Sequence, residues 1–356
     1  MAADRPAPTP PPRAVPDDPE RDWTAPGVYE VRPGLYRIPL PLPQDGLRAV
    51  NVYAVRDGDA IVLVDSGWAV PAAHDQLRRA LRALDAGEDR ISRILVTHVH
   101  RDHYNLAVRL RRGNPHIRVG LGRGEQPALR VAQGPVTEPW GVLADQLRRE
   151  GAPGLAKELV TSVPVDHDPA DWADPDVWID APRDIALRTA TWRAYPTPGH
   201  TRGHVVFDDA ARGVMFCGDH VLPHITPSIG FEPCPAVSPL RDYLHSLRLV
   251  RDLPDRMMLP AHGPTGPSVH ARVDELVRHH DVRLRQSAEA VAAGAVTAYE
   301  VARLLRWTRR ERHFDDLDVM SRCLAVTETA AHLDVLAGTG QLRATAHDGV
   351  RAFEAV

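Results

Sequence analysis

Three histidines and an aspartate stand within six positions in the segment "ILVTHVHRDHYNLAVRL", residues 94–110. They are His98, His100, Asp102 and His103, and they follow an apolar run directly. Side chains two apart in an extended segment share a face, so His98 and His100 point together and Asp102 can follow them. Imidazole and carboxylate are the ligands that Zn²⁺ and similar metals prefer. A single histidine more often has a structural role, but this cluster predicts a metal site.

One local cluster cannot complete the ligand shells of two metal ions, so distant residues are needed. Three motifs supply them: "TPGH" contains His200, "CGDH" contains Asp219 and "LPAHG" contains His262. Each motif follows a strand-like run, and loops at strand ends commonly carry function. Each match is weak alone, but their order and their placement together favour one shared site.

The surrounding pattern indicates the elements that position these residues. Strand-like and helix-like segments alternate from about residue 28, which predicts a layered α/β body. Residues 1–26 are rich in Pro, Asp and Arg, and we expect a disordered tail there. Residues 122–183 break the alternation and are predicted to be a helical insertion. The expected catalytic body is 27–280, and 281–356 are expected to form a separate α+β domain of helices and a hairpin.

The motifs "THVHRDH", "TPGHTRGH", "FCGDH" and "LPAHG", with "LVDSG" upstream, resemble those of the metallo-β-lactamase-fold hydrolases over roughly residues 28–280. The resemblance implies an αββα sandwich with two mixed sheets. It also implies that one metal binds to His98, His100 and His200, the second to Asp102, His103 and His262, and that Asp219 bridges both. Two Zn²⁺ ions are the implied cofactors, with Mn²⁺ or Fe²⁺ as alternatives.

Further residues are expected around the metal ligands. Asp65 in "LVDSG" matches a buried aspartate that orients the metal-binding loop in that family. Thr201 and His204 are candidates to fix ligating imidazoles, which need their other nitrogen held; packing is the alternative role for His204. His220 and Phe231 are candidate substrate contacts at the mouth of the site.

Two metals sharing a water lower its pKa from ~15.7 towards neutrality and so supply hydroxide at working pH. Asp102 can hold the second metal and accept the proton of the nucleophile. We therefore expect a dinuclear-metal hydrolase, acting through a metal-bridged hydroxide on a small-molecule thioester, lactone or related ester.

The last 70 or so residues resemble the winged-helix-like domain of the lactamase-beta-like 2 branch, some of whose members cut RNA. An endoribonuclease or phosphodiesterase is therefore the alternative function. Residues 282–356 hold ten arginines and ten acidic residues. Phosphate-binding surfaces carry excess positive charge, so nucleic acid is the less favoured partner and a domain that closes over the site or a homodimer contact is preferred.

The composition of the chain further narrows the classes of function and partner that are expected. The 356-residue chain has a net charge of −4, which gives no overall attraction to nucleic acid or anionic lipid. No apolar run reaches the ~18 residues that a membrane span requires, so no membrane partner is expected. Three cysteines without a CxxC pair argue against a disulfide framework or a cysteine zinc site. The N-terminus lacks a secretion pattern, and we expect a cytoplasmic protein.

Overall fold

The computed structural model describes residues 13–43, 46–134, 140–165 and 167–356. Eight strands in sequential order form the first sheet: β1 Val15–Pro16, β2 Tyr29–Arg32, β3 Leu35–Pro41, β4 Ala49–Asp57, β5 Ala60–Val64, β6 Ile91–Val96, β7 Arg118–Gly122 and β8 Val177–Ile179. The pairs from β2 to β5 are antiparallel, whereas β1–β2 and the pairs from β5 to β8 are parallel. The sheet is therefore mixed.

Five strands form the second sheet, in the order β13-β12-β11-β10-β9. They are β9 Arg183–Ala186, β10 Thr191–Pro196, β11 Val205–Asp209, β12 Val214–Gly218 and β13 Met257–Pro260. Only the β12–β13 pair is parallel. The inner faces of the two sheets pack on each other around Trp192, Phe207 and Phe216, all fully buried. Strands covered on both faces read as continuous apolar runs, which explains sequences such as "AIVLV" and "VMFCG".

Nine helices are present in the described part of the chain, and some of them cover the outer faces of the two sheets. The nine are α1 Pro71–Ala83, α2 Arg101–Gly113, α3 Gln126–Ala132, α4 Gly141–Arg149, α5 Pro153–Ser162, α6 Pro239–Asp252, α7 Val269–Ala292, α8 Ala298–Leu304 and α9 Val319–Gly338. Helices α1 and α2 share a core with the first sheet, and α6 and α7 share one with the second. The expected α/β sandwich with two mixed sheets is present. None of the described helices is long and apolar enough to cross a membrane.

The expectation of disorder over residues 1–26 is wrong for residues 13–26; residues 1–12 lie outside the described part of the chain. Strand β1 pairs with β2, and the Asp17 carboxylate forms a 2.7 Å ion pair with Arg37. Thr265 donates to the other Asp17 oxygen at 2.9 Å, and Arg37 is 1% exposed. The polar composition misled because one aspartate of the segment neutralises a buried arginine, which composition does not reveal.

The expected domain boundary at 280/281 falls inside a helix. Helix α7 runs through that point without a break, from Val269 to Ala292. Helices α4 and α5 of the expected insertion share one apolar core with α8, α9 and the C-terminal hairpin, β14 Leu342–His347 and β15 Val350–Ala355. The insertion and the C-terminal region therefore form one packed unit, and β8 returns to the first sheet. The C-terminal helices and hairpin are present as expected, and their winged-helix character stays a prediction.

We expect Asp17→Ala to lower the free energy of unfolding by about 3–5 kcal/mol, because it leaves a buried guanidinium without its counter-charge. Urea unfolding followed by circular dichroism measures this change. Glu20→Ala, at an exposed position nearby, is the matched control and should stay within about 0.5 kcal/mol of the wild type. Equal midpoints for the two variants would contradict the structural role given to the N-terminal segment.

Candidate metal centre

The ends of four strands bring the seven implied ligands together. His98 and His100 follow β6, and Asp102 and His103 lie in the first turn of α2. The other three ligands come from later segments: His200 from the loop between β10 and β11, Asp219 from the end of β12 and His262 from the end of β13. The side chains form two groups that could each hold a metal ion. His100 and Asp102 are the only two of the seven that are partly exposed, so the site opens to solvent on their side.

The first group consists of His98, His100, His200 and Asp219. His98 Nε2 lies 3.0 Å from His100 Nδ1, and His200 Nε2 lies 3.1 Å from the same atom. His200 Nε2 is 3.5 Å from Asp219 Oδ2. Three imidazole nitrogens and one carboxylate oxygen therefore converge on one point, a donor set that suits zinc.

The second group consists of Asp102, His103 and His262, with Asp219 adjoining it. Asp102 Oδ2 lies 3.5 Å from His103 Nε2 and 3.4 Å from His262 Nε2. Asp219 Oδ1 lies 3.7 Å from His103 Nε2 and 3.4 Å from His262 Nε2. Asp219 therefore turns one oxygen to each group, which is the arrangement of a bridging ligand.

The residues fit two metal ions on the chemistry of their free atoms. His103 Nε2, His262 Nε2 and Asp219 Oδ1 are buried and have no hydrogen-bond partner among the described residues. Buried polar atoms are normally satisfied, and a place for an ion is one recognised reason for an exception. The Asp219 oxygen faces the two imidazoles of the second group, where one cation would satisfy all three atoms together.

The outer nitrogens of four ligating imidazoles are held by the protein. His200 Nδ1 donates to the Ser228 carbonyl and His262 Nδ1 donates to the Ala49 carbonyl, both at 2.8 Å. His103 Nδ1 donates to Asp65 at 2.9 Å, and His98 Nδ1 lies 3.1 Å from Thr97 Oγ1. These contacts leave the Nε2 lone pairs of these four rings directed into the site, as metal ligands require.

Asp65 lies where the resemblance implied, beneath the metal-binding loop. Its Oδ1 accepts from the Thr97 backbone amide at 2.8 Å, and its Oδ2 accepts from His103. Asp65 is 2% exposed and has a φ of 59°, which is left-handed and strained for a residue with a side chain. The two hydrogen bonds hold it in that conformation.

His204 supports the bridging ligand and not an imidazole. Its Nδ1 lies 2.8 Å from Thr197 Oγ1, and its Nε2 accepts from the Asp219 backbone amide at 3.2 Å. A Cβ at Gly218 (φ 51°) would lie 2.6 Å from that nitrogen and from Thr97 Oγ1. Glycine is therefore required at this turn, because any side chain would push His204 and Thr97 away from Asp219.

The two sheets are hydrogen-bonded to each other at the site. Asn51 on β4 donates from its side chain to the carbonyls of Pro260 and Gly263, at 3.0 and 2.8 Å. Tyr53 donates to the Pro260 carbonyl at 2.8 Å, and the Asn51 backbone amide donates to Ala261. The first sheet therefore fixes the loop of the second sheet that carries His262.

Burial and charge act differently on the two groups. Burial lowers the pKa of His98 well below its usual range and lowers those of His100 and His200 to about 3 and about 4. Burial also disfavours a charged His103, but the carboxylates of Asp102, Asp65 and Asp219 outweigh it and raise the pKa of His103 to about 10. The three imidazoles of the first group are therefore neutral and ready for a cation, whereas a cation in the second group must displace the proton of His103.

Thr201 does not fix an imidazole, so that expectation is wrong. Its hydroxyl forms a short hydrogen bond with Glu125 Oε1, while the carbonyl of Ser228 holds His200. Glu125 is fully buried, and a Cβ on Gly203 would collide with the Glu125 backbone nitrogen. Glu125 thus ties the "GRGE" turn after β7 to the His200 loop. Sequence reasoning missed it; the only signal was an acidic residue directly after a strand and two glycines.

The two expected substrate contacts have different outcomes. The Phe231 ring is half-buried and its centroid lies 6.2 Å from that of His100, so it lines the open side of the site. His220 is fully buried between His204 and Tyr243, at ring distances of 6.1 and 5.2 Å, so its expected place at the mouth is wrong. The chain after Asp219 turns inward, where Tyr243 donates to the His220 carbonyl. His224, four residues further along, is an exposed loop residue.

Comparison with known proteins identifies the family. The sequence pattern of the Metallo-beta-lactamase superfamily matches residues 45–262. The chain belongs to this superfamily. The protein is a metal-dependent hydrolase with an intact His/Asp cluster, typical of the dinuclear site of the superfamily.

Individual relatives are distant. The probable metallo-hydrolase YqjP of Bacillus subtilis is 26% identical over 310 residues, 84% of this chain and 90% of that protein. The atrochrysone carboxyl ACP thioesterase of Aspergillus fumigatus is 28% identical over 277 residues, 77% of this chain and 68% of that protein. The chain spans about two thirds of the length of such fungal relatives. The crystal structure of the metallo-beta-lactamase family protein TTHA1429 from Thermus thermophilus has a TM-score of 0.74 and 26% identity, covering 92% of this chain and all of that one.

We expect Asp219→Ala to lose both metal ions and His262→Ala to lose one, because Asp219 faces both groups and His262 only the second. Metal content per chain, measured by inductively coupled plasma mass spectrometry, tests this. His224→Ala, at the exposed loop histidine, should keep the wild-type content. Wild-type metal content in Asp219→Ala would refute the bridging assignment.

A second prediction concerns Glu125, whose pKa burial raises from 4.5 to about 8, against the opposing hydrogen bond from Thr201. Between pH 4.5 and about 8, Glu125 therefore keeps its proton in the folded protein but loses it in the unfolded chain. The stability from the neutral carboxyl is fully present below pH 4.5 and is lost as the pH rises through about 8.

Glu125→Gln is neutral at every pH, so we expect its melting temperature to fall less than that of the wild type between pH 5 and pH 8.5. Thermal unfolding in matched buffers with saturating metal measures the difference. Glu289→Gln, at an exposed glutamate of α7, should follow the wild-type curve. Parallel curves for Glu125→Gln and the wild type would contradict the buried neutral carboxyl.

Proposed function

We propose that this metallo-β-lactamase-fold protein hydrolyses a small-molecule thioester, lactone or related ester with two metal ions, most simply Zn²⁺. The observation that best supports this proposal is the position of Asp219, whose two oxygens face two separate groups of ligands at 3.4–3.7 Å. Two divalent ions held by these ligands would supply Lewis-acid stabilisation of a developing oxyanion and a nucleophile at neutral pH.

The residues of the chain divide the remaining work. The hydrogen bonds to Asp65, Ser228 and Ala49 hold the imidazoles in one tautomer, so that the ligand geometry needs no reorganisation during turnover. Asp102 is the partly exposed carboxylate of the second group. Its outward position suits it to accept the proton of the nucleophile and to pass it to the leaving group.

The wall of the site supports an acyl-bearing substrate. Phe231 presents an apolar ring beside His100, within the Pro-rich loop at 222–238. This loop packs against the C-terminal unit: Gln146 of α4 donates to the Gly230 carbonyl at 3.3 Å, and Phe231 contacts the apolar core of α4, α5, α8 and α9. The relative named as an ACP thioesterase adds support for a thioester as the scissile bond.

We assign the C-terminal unit the role of a cap that holds this loop, in keeping with the winged-helix-like resemblance. Because the unit contacts this loop, it can influence substrate binding, and this role does not require that it bind nucleic acid. A homodimer contact through the same unit, and a location in the cytoplasm, are further proposals that follow from the sequence.

Chelation of the metal should abolish hydrolysis, and Zn²⁺, Mn²⁺ or Fe²⁺ should restore it. We expect the double variant His98→Ala, Asp102→Ala to lose at least about 10³-fold in kcat, since it removes a ligand from each group and the proton acceptor. Steady-state kinetics with parallel metal analysis measure both effects. Full activity in a metal-free double variant would exclude the mechanism.

The substrate class is tested with a panel of acyl thioesters, lactones, a phosphodiester and single-stranded RNA. Turnover should favour the thioesters or lactones and depend far less steeply on salt than RNA binding does, because a small substrate makes few ionic contacts. Preference for RNA, with affinity falling steeply as salt rises, would instead support the endoribonuclease alternative.

A further inference from the structure

Arg101 stands inside the metal-binding loop, between the ligands His100 and Asp102. Its guanidinium carbon lies 4.0 Å from the centroid of the Trp68 ring, and both side chains are half-buried. Trp68 packs in turn against the core of the first sheet. The arginine side chain is therefore held on a fixed aromatic surface beside the metal-binding loop.

The edge of this guanidinium has no acceptor in the described part of the chain. The other arginines of α2 differ: Arg109 pairs with Asp171 at 2.8 Å, Arg111 pairs with Asp176 at 3.0 Å, and Arg112 donates to the Ala170 carbonyl. Stacking uses the face of a guanidinium and leaves its N–H groups free along the edge. Arg101 is thus a fixed donor fork without an acceptor among the described residues.

The charge of the site favours an anion at that fork. Two divalent ions would bring four positive charges, against the two carboxylates of the ligand set, Asp102 and Asp219. Asp65 is engaged with Thr97 and His103 on the buried side of the loop, so it does not neutralise Arg101. Arginine matches carboxylate and phosphate geometry better than other cations do.

We propose that Arg101, held on Trp68, binds an anionic group of the substrate, so that the preferred substrate is an ester or thioester carrying a carboxylate or a phosphate. Phe231 lies on the His100 side of the opening and receives the apolar part. The substrate is then amphiphilic: its apolar segment meets Phe231, its scissile carbonyl meets the metal ions, and its anion meets Arg101. This inference rests on the proposed function and adds the substrate class to it.

The test measures binding and not turnover, so it is separate from the test of hydrolysis. Three thioethers that cannot be hydrolysed serve as probes in calorimetry: S-hexyl N-acetylcysteamine, its S-(5-carboxypentyl) analogue and S-hexyl 4′-phosphopantetheine. They are neutral, carboxylate-bearing and phosphate-bearing. The wild type, loaded with metal, should bind at least one anionic probe about 10–100-fold more tightly than the neutral one, the range for a charge-assisted pair. The tighter anionic probe identifies the source of the anion.

Arg101→Gln should abolish this preference, and Arg101→Lys should retain part of it, because lysine keeps the charge but not the fork. Arg285→Gln, at an exposed arginine of α7 remote from the loop, should retain it fully. Equal binding of all three probes by the wild type, or an unchanged preference in Arg101→Gln, would overturn the inference.

Metal content and melting temperature are measured for each variant. If Arg101→Gln loses metal, Trp68→Leu decides, since it removes the stacking surface outside the ligand loop. Its preference should then fall by several-fold with metal content unchanged. If Trp68→Leu and Arg101→Lys both kept the full wild-type preference for the anionic probes, the inference would also be overturned.

Discussion

Mutual repulsion of the ligand atoms is the constraint on which this structure depends. Imidazole nitrogens stand 3.0 and 3.1 Å apart in the first group, and carboxylate oxygens face buried nitrogens that have no other described partner in the second. Without a cation or a proton between them, such lone pairs repel each other in a medium that screens them poorly. The fold must hold them there before a metal arrives, and metal binding then stabilises the fold by the same contacts.

The required rigidity comes from hydrogen bonds that run outward from the site into both sheets. On the second-metal side, His262 donates to Ala49, and Asn51 fixes the carbonyls on either side of that loop. Arg37 donates to Asn51 at 3.2 Å and pairs with Asp17. A continuous set of buried polar contacts thus links the N-terminal segment to a metal ligand. Networks of this kind rigidify a site when every member is satisfied.

Much of the site could be predicted from the sequence because its information is local. The spacing His98-x-His100-x-Asp102-His103 places four ligands at one strand end whatever the rest of the chain does. The layered pattern of strands and helices was also readable, since buried strands and amphipathic helices differ in period. The contacts between distant segments could not be predicted. Ser228 and Ala49, for example, hold His200 and His262 through backbone carbonyls, which have no sequence signature.

The wrong predictions share one physical cause: whether a residue is buried depends on partners elsewhere in the chain. Asp17 looks like a residue of a polar tail until Arg37 is placed beside it, and residues 122–183 look like a separate insertion until α4 and α5 are packed against α8 and α9. His220 follows a ligand, but its side chain turns into the core.

The net charge of the chain does not determine the charge around its metal centre. A chain with a net charge of −4 still presents a positive field at its active site if two divalent ions and Arg101 outnumber the local carboxylates. Substrate attraction depends on that local field, because a cleft with low-dielectric walls focuses it while salt screens the charges beyond about 8–10 Å. The average charge argues against a long nucleic-acid track across the surface. It does not argue against a small anion at the metal centre, and the two partners must therefore be judged from different parts of the molecule.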